Sequence, residues 1–479
     1  MIHSYKLGGI NIVHDVASGS IHCVDDAAFD AIRVYEQSGA LIAAETVRRK
    51  YPEISEDEIS ELISEIETLK QQKKLFSTDS FLSNEPFANK RTVKKPIKAL
   101  CLNVSHMCNM SCGYCFAGKG AYGAEPTGLP ISQAPKLMPL ETGIRAVDFL
   151  LENSENRKNL DIDFFGGEPL LNFDVVKEIV RYARSKEQGS GKRFRFTLTT
   201  NGLLIDDDVI DFTNKEMHNV VLSLDGRPET NDFMRKLGGS HGNDSSENGN
   251  HGKTASSYEA VLPKIKRLVE ARGNKNYYIR GTFTRCNLDF SNDILHLAEL
   301  GFTELAMEPV VTKGESYGLT ANDLTAISKE YEKLAAEMIK RKRDGRGFSF
   351  YHFTLNLAKG PCVYKRVSGC GVGTEYLAVT PNGDLYPCHQ FIGKNEFVMG
   401  DVFSGLTNKT LRGDFEKCGI MSKNECRECW ARYFCSGGCA ANAYNSSGSI
   451  TGLYELGCEM FKKRTECAIY LAVADGRGY

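Results

Sequence analysis

The sequence predicts an α/β protein built on an incomplete (β/α)6 barrel of TIM type, with a small module before it and a cysteine-dense region after it. Three observations carry that expectation. Between about residues 97 and 347, six apolar strand patterns alternate with amphipathic helix patterns, which calls for a parallel sheet. Cys108, Cys112 and Cys115 crowd the loop directly after the first of those strands. Ten of the sixteen cysteines fall beyond residue 360, among glycines and turns.

The 479 residues exceed one ordinary core, and we expect three units: residues 1–92, 93–350 and 351–479. Acidic and basic residues nearly cancel, leaving a formal charge of -2, so neither nucleic acid nor an acidic membrane is an expected partner. The opening "MIHSYKLGGINIV" lacks the basic and apolar regions of a signal peptide, and no uninterrupted run of about 18 apolar residues occurs. A cytoplasmic protein is expected. Its cysteines then read as metal or redox groups rather than disulfides.

In the first unit, "INIVHDV" and "SIHCV", joined by "ASG", predict a β-hairpin. Two helices follow: "DDAAFDAIRVYEQSG", ending on Gly39, and a second opening at Ser55 with Glu58 three residues on, a capping-box signature. The polar stretch 77–96 reads as a linker. The barrel strands are "KALCLNVS", "LDIDFFGG", "RFRFTLTTNG", "NVVLSLDG", "YYIRGTFTR" and "TELAMEPVV". The helices between them include "LETGIRAVDFLLENS", "FDVVKEIVRYARSKE", "YEAVLPKIKRLVEARG" and "SNDILHLAELG". An insertion from Gly238 to Ser257, rich in Gly, Ser and Asn, predicts a flexible loop, with its two histidines on the tip rather than on a metal. The basic run Lys340 to Arg346 reads as a solvated helix C-terminus.

In such barrels chemistry gathers at the C-terminal ends of the strands, and the polar motifs fall there. "CNMSCGYC" supplies three thiols where a cubane cluster or a structural zinc normally takes four ligands. Zinc needs a nearby fourth ligand, and His106, two residues before Cys108, is still at the strand. A three-cysteine cubane leaves one iron open. "FFGGEP" (Gly166, Gly167, Glu168, Pro169) combines glycines that admit close backbone approach with a carboxylate able to pair with an ammonium, though a plain strand-to-helix turn reads the same way. "TTNG" with Thr200 and Asn201, "SLDG" with Ser223 and Asp225, Arg280 in "IRGTF" and Glu308 in "MEP" end further strands. Downstream, "CRECWARYFCSGGC" holds Cys426, Cys429, Cys435 and Cys439; Cys370, Cys388 and Cys458 flank it. A zinc ribbon is the competing reading of the Cys-x-x-Cys pair alone.

The spacing of Cys108, Cys112 and Cys115, with Tyr114 before the last, resembles the radical S-adenosylmethionine (SAM) superfamily. There the amino and carboxylate groups of SAM fill the open iron. The resemblance implies that the loop of Gly166, Gly167, Glu168 and Pro169 binds the SAM amino group. It offers Ser223, Asp225 and Arg280 for its carboxylate and ribose, with Thr200, Asn201 and Glu308 at neighbouring strand ends. The seven later cysteines resemble the SPASM domain, which carries two auxiliary [4Fe–4S] clusters, making three in all. Carried over, Cys370, Cys388 and Cys439 hold the first, with Cys362 as its fourth ligand or as one that leaves to admit a substrate thiolate. Cys426, Cys429, Cys435 and Cys458 hold the second. The remaining Cys23, Cys101, Cys286, Cys418 and Cys467 read as buried thiols.

The first unit resembles the winged-helix-like recognition element of ribosomal peptide maturases, which adds a leader peptide to a sheet edge. With "GCGVGTEYLAVTPNGDLYPCHQF", the chain resembles the maturases of SCIFF peptides and other ranthipeptides. This implies a thioether-forming enzyme acting on a cysteine-rich precursor peptide, with an electron donor such as flavodoxin or ferredoxin. Formylglycine formation and carbon–carbon crosslinking are the alternative radical chemistries. A non-enzymatic iron–sulfur peptide-binding or electron-transfer protein is the alternative of another class.

Overall fold

The computed structural model describes residues 1–79, 95–117, 135–238, 255–355, 357, 369–474 and 476. Cys362, most of the linker and the two histidines of the insertion lie outside these residues.

The first unit opens with three antiparallel strands, β1 (Ile2–Leu7), β2 (Ile10–Asp15) and β3 (Ile21–Val24), in that spatial order. The β2–β3 hairpin is the one expected from sequence. β1 is an addition, joined to β2 through Gly8 and Gly9, whose φ of +56° and +79° suits a tight two-residue hairpin turn. Helix α1 (Asp26–Lys50) starts where the Asp25 side chain accepts from the Ala28 amide. It is interrupted at Gly39 (φ +78°), so the expected helix stops there and a further helical stretch runs on to Lys50. Helix α2 (Glu56–Gln71) has the expected capping box between Ser55 and Glu58. Val13, Phe29, Ile32, Tyr35, Val47, Ile59 and Ile66 form the core of this unit.

The barrel follows as β4 (Ala99–Ser105), a short β5 (Met110–Cys112), α3 (Leu140–Asn153), β6 (Asn159–Gly166), α4 (Phe173–Ser190), β7 (Arg193–Thr200) and α5 (Asp207–Glu216). It continues with β8 (Met217–Ser223), α6 (Pro228–Met234), β9 (Arg235–Leu237), α7 (Ser257–Arg272), β10 (Asn276–Phe283), α8 (Phe290–Glu299), β11 (Glu304–Pro309) and α9 (Leu324–Arg343). Six of these strands, β4, β6, β7, β8, β10 and β11, pair in parallel in chain order. β4 is buried along its whole length, whereas β6, β7 and β10 alternate buried with more accessible residues. An incomplete barrel covers one face with helices and leaves the other lining a hollow. The alternation records that.

Ser256 caps α7 through its side chain, so the end of the insertion already belongs to that helix. The basic run closes α9, where cations complement the carbonyl end of the helix.

The cysteine-rich region does not stand apart from the barrel. β12 (Ser349–Phe350) extends the sheet beside β11, while β13 (Tyr376–Val379) pairs in parallel with β4 at the opposite edge. From β13 the sheet runs on antiparallel through β14 (Asp384–Tyr386), β15 (Gly400–Asp401) and β16 (Gly405–Leu406), giving eleven strands. Helices α10 (Lys409–Lys417), α11 (Asn424–Arg427), α12 (Arg432–Cys435), α13 (Ala440–Ser447) and α14 (Glu455–Ala474) follow, and α14 packs along α9. The first unit meets this region closely. His3 stacks flat on Trp430 with ring centroids 3.7 Å apart, and the buried Arg432 pairs with Asp79. No helix among the described residues is long and apolar enough to cross a membrane.

Candidate active site

A cleft of about 270 Å³ opens at the C-terminal ends of the barrel strands. Cys108, Cys112, Tyr114 and Cys115 line it from the loop after β4. Gly166, Gly167, Thr200, Asn201, Ser223, Arg280 and Glu308 line it from the next five strands. Eleven of the fourteen residues singled out in the barrel therefore share one cavity; Glu168, Pro169 and Asp225 do not line it.

The cysteine loop is held by backbone. β5 pairs antiparallel with β9, setting Cys112 opposite Arg235. Amides at both ends close this ribbon: Gly113 donates to Met234 O at 2.8 Å and Gly238 to Asn109 O at 3.0 Å. The Met110 amide points at Cys108 Sγ (3.4 Å), and Asn201 Nδ2 lies 3.7 Å from the same sulfur. Burial pushes the Cys112 thiol up to about 11 and raises that of Cys108. Neither would ionise near neutrality without a metal to displace the proton. Among the described residues, no three His, Cys, Asp or Glu side chains converge tightly enough for a single ion. A four-iron cluster takes its thiols further apart than one ion does, and Cys108, Cys112 and Cys115 line the same cleft.

Two of the carboxylates singled out, Glu168 and Asp225, are held inside the protein, and the glycines before Glu168 have a packing role of their own. Gly166 and Gly167 do reach the cleft, but their lack of side chains answers first to the cysteine loop. A Cβ on Gly166, whose φ is +138°, would lie 2.1 Å from Ser105 O, and one on Gly167 would lie 2.3 Å from Met107 O. Glu168 is fully buried beneath the cleft. Its carboxylate accepts from the Leu170 amide (3.0 Å), Thr200 Oγ1 (2.8 Å) and the Asn201 amide (2.8 Å), so it ties β6 to β7 instead of facing a ligand. Burial raises its pKa to about 7 against those three donors. Pro169 is buried at the first position of the short 3₁₀ turn that Glu168 caps.

Asp225 is the second of these carboxylates. It too is fully buried and lies below the cleft wall, where it accepts from Tyr114 Oη, from the Thr282 amide at 2.9 Å and from Arg235 Nη2 at 3.0 Å. The Arg235 guanidinium also lies 5.5 Å from the centre of the Tyr114 ring. Asp225 thus positions the cysteine loop through Tyr114 and Arg235. Arg235 carried no signal in the sequence, because it precedes a low-complexity insertion and only the fold sets it opposite Cys112.

Across the cleft, Arg280 lies 3.6 Å from Glu308, and His352 Nε2 is also 3.6 Å from that carboxylate. Burial opposes the charge on Glu308, but His352, Arg280 and Arg464 outweigh it and hold its pKa below the usual value. The far wall comes from the cysteine-rich region: His389 and Gln390, just after Cys388, and Asn442, three residues after Cys439. Sequence reasoning missed these, since they show only as neighbours of cysteines.

The later cysteines fall into two groups. Burial pushes Cys388 up to about 12, and Cys439 and Cys370 stand near enough to add to it. Cys435 is likewise driven to about 12 by burial, then by Cys458, Cys426 and Cys429. The resemblance divides these seven thiols in the same way, and Cys362 lies outside the described residues. Of the remaining thiols, Cys101 and Cys467 are buried as expected, whereas Cys23 and Cys286 are exposed. Cys418 is half-buried beside Cys370 and Cys439, and its thiol donates to Ile450 O at 3.1 Å.

A parallel incomplete barrel with three cysteines at its mouth, continued by a cysteine-rich sheet extension, defines the class. Residues 102–276 match the radical SAM superfamily, and residues 370–430 match SPASM, an iron–sulfur cluster-binding domain. The chain therefore combines a radical SAM domain with a SPASM domain, and SAM and iron–sulfur clusters are its cofactors.

Relatives place it more closely. It is 23% identical to the radical SAM cyclopropyl synthase TigE of Paramaledivibacter caminithermalis over 78% of this chain and 74% of that protein. It is 24% identical to a cysteine-type anaerobic sulfatase-maturating enzyme of Clostridium novyi, over 77% and 94% respectively. Its fold matches the solved structure of anSMEcpe with bound AdoMet (TM-score 0.61, 22% identity, 80% of this chain and 100% of that one). It also matches Streptococcus suis SuiB bound to precursor peptide SuiA (TM-score 0.52, 17% identity, 94% and 97%).

Proposed function

We propose that this protein is a radical SAM peptide maturase. It joins a cysteine sulfur to a side-chain carbon of Thr, Asp or Glu in a ribosomally made, cysteine-rich precursor. One observation carries the reading: a single cleft is lined on one side by Cys108, Cys112 and Cys115, and on the other by residues flanking Cys388 and Cys439. When bound, SAM and the first cluster supply a 5'-deoxyadenosyl radical that takes a hydrogen atom from carbon. The chain's own groups bind and orient. Backbone at Gly166 and Gly167 and the Arg280–Glu308 pair form the seat for the cofactor. Asn201 and the Met110 amide steady Cys108. The wall of His389, Gln390 and Asn442 presents the first auxiliary set to the same space. Three [4Fe–4S] clusters belong to this reading, as does an electron carrier such as flavodoxin or ferredoxin.

A peptide substrate is supported by the first unit. β3 is an edge strand, and edge strands capture extended peptides through main-chain hydrogen bonds. The match to SuiB takes in 94% of this chain against 80% for anSMEcpe, so it includes part of the chain that the second match leaves out. The names of relatives cover other reactions, among them cyclopropyl synthesis, sulfatase maturation and PqqA peptide cyclisation. The test is anaerobic turnover of the reconstituted protein with SAM, reductant and a cysteine-rich precursor peptide. Each thioether removes two hydrogens and protects one thiol from alkylation. Loss of hydrogens with every thiol still reactive would exclude a thioether, and no SAM cleavage would sink the enzyme reading.

A further inference from the structure

Lys423 is buried, with 3% of its surface exposed. A buried ammonium loses several kcal/mol of hydration unless charge returns it, which is why lysine is almost never fully buried unpaired. Among the described residues no carboxylate lies within ion-pair distance of Lys423. Its ammonium makes one hydrogen bond among the described residues, from Nζ to Gly437 O at 2.9 Å. Gly437 stands in the turn between Cys435 and Cys439, where the chain passes from one auxiliary cysteine set to the other. An ammonium has three donors, so two remain.

Both ends of Lys423 lead to the second auxiliary set. Its carbonyl accepts from the Cys426 amide at 3.2 Å, and Gly437, which its ammonium holds, follows Cys435 by two residues. Cys426 and Cys435 belong to that set. A thiolate-ligated cluster is anionic, and it supplies the counter-charge that the protein around Lys423 does not.

We infer that Lys423 is a positioning and tuning residue, holding an unneutralised positive charge against the second auxiliary cluster and raising its reduction potential. When that cluster is reduced it gains one electron and one negative charge, and no bond forms or breaks. A fixed cation beside it stabilises the reduced state more than the oxidised one, and net charge and hydrogen bonds to sulfur are among the levers that set such potentials. In turnover the electron is the surplus one left by carbon–sulfur bond formation, and the carrier protein removes it. The inference rests on the cluster assignment above but not on the thioether reaction.

Lys462 provides an internal control. It also lies near Cys429 and Cys458, but Glu459 neutralises it at 2.7 Å. The experiment is a potentiometric titration with dithionite, followed by electron paramagnetic resonance, on anaerobically reconstituted full-length protein without SAM or peptide. Iron content is measured in parallel. Lys423→Met should shift one cluster's redox equilibrium at least tenfold toward the oxidised form, about 59 mV lower in midpoint for one electron. The other clusters stay unshifted, Lys423→Arg stays close to wild type, and Lys462→Met shifts less. If Lys423→Met binds less iron while Lys423→Arg binds the full complement, the charge is again required. The inference is overturned by an unshifted midpoint in fully loaded Lys423→Met, by equal iron loss in both Lys423 variants, or by an equal shift in Lys462→Met. A wild-type protein that binds no cluster at Cys426, Cys429, Cys435 and Cys458 would overturn the ligand assignment as well.

Discussion

Replacing Asp225 with Asn removes one charge from beneath the cysteine loop and changes almost no volume. In the native protein that carboxylate faces Arg235 at 3.0 Å, with Tyr114 and the Thr282 amide as its other donors. At that distance, and with an effective dielectric constant of about 20, the attraction is about 5 kcal/mol. Removing one member of a buried pair costs about 3–5 kcal/mol, because the other is left buried and uncompensated. The loss falls on a defined element. Arg235 opens β9, whose pairing with β5 places Cys112. Global unfolding of a multi-unit iron–sulfur protein is not a two-state quantity, so hydrogen exchange is the better assay. The informative amides are Gly113 and Gly238, which close the two ends of the ribbon. About 3–5 kcal/mol corresponds to exchange there roughly a hundredfold to several thousandfold faster. Amides of α3 and α4 should be unchanged. Adding Arg235→Met should recover most of the protection, since replacing both members of a buried pair by uncharged groups is often close to neutral. Exchange within about threefold of wild type in Asp225→Asn, or a double variant as loose as the sum of the singles, would refute the argument.

Two further outcomes follow from the same geometry. In Gly167→Ala the new Cβ meets Met107 O at 2.3 Å, a backbone atom that yields only if the cysteine loop moves. Overpacking of about 1–3 kcal/mol should appear as reduced iron at the Cys108 site with unchanged circular dichroism, and full iron content would contradict it. His14 and His352 are each lowered to about 4, in both cases chiefly by burial, from an ordinary 6.5. Below about pH 6.5 the unfolded chain takes up protons that the folded one refuses. Stability should therefore be lost as pH falls from about 6.5 toward 4, by at most about 3 kcal/mol per histidine, and thermal unfolding of His14→Phe should show a shallower decline over that window.

The strands and helices of the barrel were legible because each carries its own periodicity, and a six-fold alternation leaves few topologies open. β1 was not, since "IHSYKL" has too little alternation to stand out and becomes a strand by pairing with β2. The helical stretch after Gly39 was hidden for the same local reason: a glycine that ends one helix gives no notice of the next. Glu168 and Asp225 were located as strand-end carboxylates, but their partners come from β7, β10 and the cysteine loop. Whether such a group faces the cleft or its floor depends on those distant neighbours.

What the sequence by itself determined is the chemistry. Thiol spacing is a local property of a loop, so Cys108, Cys112 and Cys115, and the later Cys-x-x-Cys pair, announce metal ligation without any knowledge of the fold. Only the tertiary structure decided how the ligands are shared and what stands around them. β13 pairs with β4, and that one lateral hydrogen-bonded edge brings His389 and Gln390 into the cleft lined by Cys108, Cys112 and Cys115. The fold likewise sets Arg235 opposite Cys112, and buries Lys423 with no carboxylate in ion-pair range among the described residues. Charges and cavity walls are sums over residues far apart in the chain, and no short stretch of sequence contains them.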